Sequence, residues 1–583
     1  MTNIEIAKIL EEVSEYLEIL DDSFRAPAYS RASDAISGLE REVSDIYKEG
    51  GIQALEKIPT VGRGIAEKIE ELLKKGSLIY LKELQKKLPM NVHELTAIEG
   101  VGPKTIGVLY KKLNIRTRDD LEHAARAGKL GTIPHFGQKT ESKILKSIEF
   151  LKKSHGRFLL GEILPIAESI KETVKNVSEI THIALAGSLR RMQETIGDID
   201  IVASAKNPKS VIDAFIALPE VEHVYGKGST KANVRLRIGI DADLRVVHSD
   251  EYGAALLYFT GDKEHNIALR KIAIKKGYTL SEYGLFRGKT YVAGKTEEEV
   301  YKKLGFQWIP PEIRVASGEL EAAHKDTLPP LIPYGSIKGD LQVQTSWSDG
   351  NATILKMAEA AISHGLEYIA ISDHTKSLGV AGGLTEKELA KQGKEIELVN
   401  KKFMREKKSF RILKSAEINI LKNGSFDISD AALAKLDIVS ASVHSHFGMS
   451  EEEMTARIIK AMKHPRLNIL FHPTGRLIMK REPYKVDILK IIKAAKEYGV
   501  ALEVNAYPER LDLKDTHIRL AVEHGAKLVV NTDAHAPDHF RYLNLGVAQV
   551  RRGWGTKADA LNTKSAELLL RSLRKLKASS KRR

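Results

Sequence analysis

From Gly339 onward, short apolar runs (EYIAIS, LDIVSASV, LNILF, ALEV, KLVV) alternate with amphipathic helical text such as Ile354 to Gly365 and Val486 to Gly499. Parallel strands need a crossover of a dozen or more residues, which a helix supplies, so this rhythm predicts a parallel β/α barrel. Most of the runs end in a polar cluster, at the edge where barrel enzymes carry their chemistry. The text before the barrel is different. Residues 1 to about 150 read as short helices, with apolar positions three and four apart as in Ile4 to Leu20, separated by glycine-containing turns. Near Arg157 apolar strands (Ile183 to Ala186, Ile199 to Ala203, Leu244 to Val247) begin to alternate with helices, which predicts a mixed α/β domain. Between Ala316 and Gly339 the text becomes LPPLIPYGS, which suits neither helix nor strand and reads as an interdomain connector. The last stretch, LRKLKASSKRR, reads as a frayed basic tail.

A chain of 583 residues is too long for one ordinary core and predicts several domains. No apolar run approaches the roughly 20 residues that cross a bilayer. The N-terminus lacks a basic stretch followed by an apolar core, and cysteine is absent. The expectation is a cytoplasmic protein, monomeric, without disulfides or thiolate metal sites. A net charge of +14 suits a polyanionic partner, but a merely basic surface explains it equally well, so motifs must decide.

Three segments share a layout: IPTVGRG (Ile58 to Gly64), IEGVGPKT (Ile98 to Thr105) and IPHFGQKT (Ile133 to Thr140). Gly62, Gly64, Gly100, Gly102 and Gly137 let the backbone turn tightly, so that amides of the following helix can meet a phosphate. One copy would be a plain helix-to-helix turn; three in a basic chain favour DNA held by its backbone. Lys68 lies one turn into the helix after the first hairpin. A lysine can attack a sugar aldehyde if its pKa is lowered, although a solvated helix lysine is the plainer reading.

The segment ALAGSLRRMQETIGDIDIV holds a strand, a Gly-Ser turn, two arginines, and then Asp198 and Asp200 two residues apart. Positions i and i+2 of a strand face one side, so both carboxylates can share hard cations. Asp243 opens a second apolar strand, IDADLRVV, that can pair beside the first. Two metals held there, magnesium or manganese, would activate a primer hydroxyl and stabilise departing pyrophosphate. Gly187, Ser188 and Arg191 would meet a triphosphate.

At this point the chain resembles the family X DNA polymerases, with GSLRR, GDID, DLRVV, YFTG and IAEKI in the expected order and spacing. The barrel resembles the PHP (polymerase and histidinol phosphatase) domain of the bacterial and archaeal members. The resemblance implies a helical lyase-like domain (1–90), a helix-hairpin-helix subdomain (91–155), a nucleotidyltransferase palm (156–250) and a thumb (251–315). A linker (316–339), the PHP barrel (340–575) and the tail (576–583) follow. It implies that Asp198, Asp200 and Asp243 are catalytic and that Arg157, Ser188 and Arg191 hold the triphosphate. Tyr258 and Phe259 would line the sugar pocket, and Asn266 and Arg270 would check the base pair. From the residues alone, YFTG reads as a buried strand end. Lys68 matches the family's Schiff-base lysine, and Tyr29 and Arg31 match its 5′-phosphate pocket. The implied function is filling of short gaps in base-excision repair, on gapped or primer-template DNA with deoxynucleoside triphosphates. A repair nuclease and a non-catalytic DNA scaffold are the alternatives.

In the barrel, Asp349, His374, Glu417, His444, His472, Asp533 and His535 fall at strand ends, a set that suits zinc or manganese. Family members begin this domain with His-x-His, where this chain has Gln342 and Gln344. Neutral amides are poor ligands for these ions, so the expectation is weak metal occupancy and a reduced or lost exonuclease.

Overall fold

The N-terminal region folds as the periodicity demands, through helices that include Asn3–Ile19, Ala26–Ser37, Val43–Leu55, Arg63–Lys75, Ile79–Lys87 and Pro103–Leu113. The computed structural model describes residues 1–583 except 2, 38, 40, 97, 99–100, 134–135, 137–139, 142–143, 146–147, 149–155, 177–179 and 581–583. One hydrophobic core runs from Ile6 to Ile148. In each hairpin the apolar residues turn inward (Ile58 with Val61, Ile98 with Val101), which leaves Gly62, Gly64 and Gly102 on the surface.

Glu15 in the first helix is half-buried at the margin of this core, with its Oε2 atom shut off from solvent. Burial, eased by a hydrogen bond to Thr96, pushes its carboxyl up to about 7. A carboxyl whose pKa is raised by folding stabilises the fold fully below about 4.5 and loses that contribution as pH rises through about 7. Glu15→Gln, which keeps the shape without the charge, should therefore match wild type at pH 4. At pH 8 it should be more stable by about 1 to 2 kcal/mol after allowance for solvent screening, read as a higher midpoint for unfolding of this region.

The palm is a five-stranded sheet in the order Ile180–Leu185, Asp198–Ala205, Asp241–Val247, Lys231–Leu236, Val221–Lys227. Alternation decides its two faces. Ile199, Ile201, Ala203, Ala242, Leu244 and Val246 pack against helices Leu160–Lys175 and Pro208–Ile216. Asp198, Asp200 and Asp243 take the opposite face, where Val202 and Val247 meet helix Tyr252–Thr260. YFTG thus ends a helix and is not a strand end: YGAALLYFT is apolar all round because it serves two cores, so its pattern carries no helical period.

The stretch read as a bare connector is built into the thumb. Glu319–His324 is helical, Leu320 and Ala323 join the thumb core, and the Glu319 carboxylate receives the amides of Ala316 and Ser317 and pairs with buried His265. Its Glu and Ala residues make this helix, and the prolines keep the stretch beyond Leu328 irregular.

The barrel strands run Gly339–Val343, Tyr368–Ile371, Arg411–Lys414 and, after a break, Glu417–Asn419, then Ser440–Ser442, Ile469–Leu470, Ala501–Asn505 and Leu528–Asn531. Neighbours within each sheet are parallel, and bridges from Val343 to Ala534 and from His374 to Glu417 close the ring. The supposed tail is also structured: helix Ala566–Ser580 carries it to residue 580, with Lys577 Nζ donating to the Tyr498 carbonyl at 2.9 Å.

The barrel docks on the palm through its core as well as its surface. Leu511 and Leu545 belong to the palm core and Trp554 to the thumb core. A Cβ on Gly161 would stand 2.6 Å from Pro508, so glycine is what lets these elements touch. Among the described residues no helix is long and apolar enough to cross a membrane.

Candidate active site

The two aspartate strands run parallel, with Asp198 opposite Asp241 and Asp200 opposite Asp243. Asp198, Asp200 and Asp243 therefore stand on one face at neighbouring positions. Burial and the neighbouring carboxylates both act on Asp198 and Asp200. Burial, then the charges of Asp198 and Asp243, push Asp200 up to about 7. Burial and Asp243 also raise Asp198, against the pull of Arg157. Asn233 on the adjacent strand donates to Asp243 Oδ1 at 2.6 Å and fixes that carboxylate.

Gly187 sits at φ +56°, and a Cβ there would lie 1.9 Å from Asp200 Oδ2. Only glycine permits this approach. The Gly-Ser segment read as a turn is a short helix, Gly187–Arg190. Ser188 Oγ and Arg191 Nε are both buried without a hydrogen-bond partner, although Arg191 also donates to the Thr260 carbonyl. Buried polar groups are seldom left unpaired, so both point to a missing ligand.

The adjacent arginines divide the labour. Arg190 turns away, giving Thr260 Oγ1 a 2.7 Å hydrogen bond and Glu297 two, at 2.7 and 2.8 Å. Glu297 also takes two from fully buried Arg314 and one from Trp308 Nε1. Burial opposes this charge, yet the two guanidiniums hold the Glu297 carboxyl well below its ordinary range.

A cleft of about 470 Å³ gathers Arg157, Gly187, Ser188, Arg191, Asp198, Asp200, Tyr258, Phe259, Asn266 and Arg270. Arg157 is held by Thr195, with Nε 2.8 Å from the hydroxyl. Tyr258 and Phe259 meet edge to face at 5.1 Å. Asn266 Nδ2 donates to the Tyr258 carbonyl at 2.7 Å, and the Arg270 guanidinium lies 5.8 Å from the Tyr258 ring. Gln193, Asp262 and Lys263 line the same cleft and were not picked out from sequence. Asp262 caps helix Lys263–Lys275, and an acid ahead of helical text was the available signal for it. Nothing local marks Asn233.

At the N-terminal hairpins, Gly62 and Gly102 cap helices Arg63–Lys75 and Pro103–Leu113 with no side-chain cap, and Gly62, Gly64 and Gly102 have open space around them. First-turn amides there are open to a phosphate. Gly100 and Gly137 lie outside the described residues. Lys68 Nζ is 3.2 Å from the Gly64 carbonyl and 5.0 Å from the Tyr80 ring. Tyr29 stacks on Tyr80 from within the core, 5% exposed, whereas Arg31 is exposed.

In the barrel, Asp349, His374 and His535 form one group with metal-ligand spacing, and His374, Glu417 and His444 another. His472 Nε2 lies 2.7 Å from Glu417 Oε1. Gln342 and Gln344 both donate to Glu417 Oε2, at 2.9 and 3.0 Å. Asp533 faces Arg510 Nε at 3.2 Å and Asn505 Nδ2 at 3.1 Å. Burial opposes a charged His535, but its hydrogen bond to Asp349 and the charge of Asp533 push it up to about 9.

Comparison with known proteins identifies relatives of the chain. Residues 255–315 match the DNA polymerase beta thumb, 1–78 a helix-hairpin-helix domain and 92–149 a SAM-like helix-hairpin-helix tandem. A Bacillus subtilis protein named DNA polymerase/3′-5′ exonuclease PolX is 37% identical over 569 residues, 96% of this chain and 97% of that one. DNA polymerase lambda of Rattus norvegicus is 26% identical over 54% of this chain and 56% of its own length. A probable phosphatase of Thermoanaerobacter is 31% identical over 37% of this chain and 86% of its own. With one relative alike from end to end, the chain belongs to the family X DNA polymerases.

Proposed function

We infer that this DNA polymerase fills short gaps by template-directed addition to a primer, and that Asp198, Asp200 and Asp243 hold its divalent ions. The observation that carries this is the convergence of three carboxylates, two of them with raised pKa, beside a cleft whose Ser188 hydroxyl and Arg191 Nε lack partners. Such a cluster suits cations, because bound positive charge relieves the repulsion. The donor set is all carboxylate, which fits magnesium or manganese. Metal bound there would lower the pKa of the primer hydroxyl and offset charge on the leaving pyrophosphate.

The chain's own groups position the nucleotide. Ser188 donates to a phosphate oxygen, while Arg157, Arg191 and Lys263 surround the triphosphate with positive charge. Tyr258, clamped between Asn266 and Arg270, presents its ring and that of Phe259 to the sugar. The uncapped amides after Gly62 and Gly102 grip DNA phosphates without reading sequence. Extension of a primer across a one-nucleotide gap tests the reading: incorporation must follow the template base, and untemplated tailing counts against it.

The barrel then serves as a weakened phosphoesterase. Gln342 and Gln344 satisfy Glu417 with amide protons, and Arg510 satisfies Asp533, so protein donors sit on two carboxylates that a metal cluster would use. Zinc or manganese is left the Asp349–His374–His535 group. Trimming of a 5′-labelled primer with manganese should be slow. The Gln342→His/Gln344→His double variant should trim at least about tenfold faster, since even outer-sphere partners shift metal affinity about 10 to 100-fold. Robust wild-type trimming that disappears in His374→Ala would contradict this.

A further inference from the structure

At the seam between palm and barrel lies a second cavity, of about 380 Å³, which shares Arg157 with the nucleotide cleft. One side of it is polar and basic. Lys514 is half-buried and has no acidic partner among the described residues. Thr474 Oγ1, in a residue only 2% exposed, and His517 Nδ1 are buried without hydrogen-bond partners. Burial and the charge of Lys514 push His517 down to about 4, so at neutral pH its uncharged ring can both donate and accept. Glu194 on this wall is occupied by Arg476, which leaves Glu482, exposed at the rim, to oppose an anion.

The remaining wall, Leu477, Ile478 and Met479, is apolar. A bare phosphate would leave that surface unused, and an aliphatic ligand would leave the cations and the unpaired Thr474 and His517 atoms unused. A nucleoside phosphate uses both, with its anion toward the cations and its flat base against the apolar side. The volume falls within the roughly 300 to 1,000 Å³ of small-molecule pockets.

We propose that the seam cavity is a second nucleotide site, which takes a nucleoside 5′-phosphate with the phosphate on Arg157 and Lys514. Because Arg157 also borders the catalytic cleft, the two occupants draw on one charge and weaken each other reciprocally. This coupling rests on the triphosphate reading of the cleft, whereas binding at the seam does not.

The test uses the full chain in EDTA, where the aspartate cluster has no ion with which to hold a triphosphate, and 2-aminopurine deoxyriboside 5′-monophosphate as fluorescent probe. A saturable response is expected, weakened about tenfold or more in Lys514→Ala and in His517→Leu, as loss of a charge-assisted or buried hydrogen bond implies. It should be retained in Asp198→Ala/Asp200→Ala. A second arm uses an oligonucleotide with 2-aminopurine at an unpaired 3′ end. A response confined to that arm, and lost in Lys514→Ala, supports the site with a strand end as its occupant. No saturable response from either probe up to about 5 mM, or one indifferent to Lys514→Ala and His517→Leu, overturns the proposal. Unchanged thermal midpoints and unchanged gap filling without added mononucleotide show that Lys514→Ala and His517→Leu fold, and an unchanged thermal midpoint alone shows it for Asp198→Ala/Asp200→Ala. A failure of gap filling in wild type would count against the polymerase reading alone.

Discussion

Asp243→Ala is expected to lower filling of a one-nucleotide gap by about three orders of magnitude, or about 4 kcal/mol in transition-state stabilisation, while leaving the fold as stable as before or more so. The two halves of this expectation share one cause. Asp243 raises the pKa of both Asp198 and Asp200, so in the metal-free protein it is an electrostatic burden on its neighbours. Removing it relieves the repulsion and lets Asp200 ionise at lower pH. It also removes the proposed metal ligand and frees Asn233, whose amide it accepts. A residue with a purely structural role would show the reverse, with stability falling and activity following in proportion. Gap extension at saturating magnesium, set beside thermal unfolding in EDTA, separates these outcomes. Loss of both together would remove the case for Asp243 as a metal ligand.

The largest loss of stability is expected from Glu297→Ala. Its carboxylate takes hydrogen bonds from Arg190, Arg314 and Trp308, and Arg314 has no solvent exposure at all. Removing one partner of a buried ion pair costs about 3 to 5 kcal/mol, because the other charge stays buried and unanswered. Here two guanidiniums are left, so the upper end of that range applies. Urea unfolding followed by far-UV circular dichroism measures it. Glu297→Asp, which keeps the charge on a shorter arm, should recover part of the loss. Because Arg190 ends the short helix that carries Ser188, KM for the nucleotide should rise in Glu297→Asp more than kcat falls.

What sequence reveals and what it withholds divide along a physical line. Asp198 and Asp200 are legible because strand periodicity puts them on one face, and Asp243 because its strand has the same alternation. Ser188 and Arg191 follow from the Gly-Ser segment that precedes the aspartates, whereas Arg157, Tyr258, Phe259, Asn266 and Arg270 come only from the resemblance to the family. Asn233 was missed because its tie to Asp243 depends on which strands become neighbours, and Lys263 because a surface lysine has no mark until a cleft forms around it. Helix Tyr252–Thr260 hid for a different reason: a segment buried on two sides has no polar face from which to read a period. The connector and the tail were underestimated because composition near proline or lysine says little about a segment that neighbours hold in place, as His265 holds Glu319.

One consequence concerns the barrel. Arg552 Nη1 donates to the Arg191 carbonyl at 2.8 Å, Gln549 reaches the carbonyl of Met192, and Leu511 and Leu545 fill the interior beneath the aspartate strands. The barrel is thus a keystone for the loop proposed to meet the triphosphate, whatever chemistry its own strand ends carry. Ligands such as the His-x-His that the family resemblance implies where this chain has Gln342 and Gln344 can drift without harm to synthesis, but the domain around them cannot be discarded. A lineage that has no further use for the barrel's chemistry would still be obliged to inherit its shape.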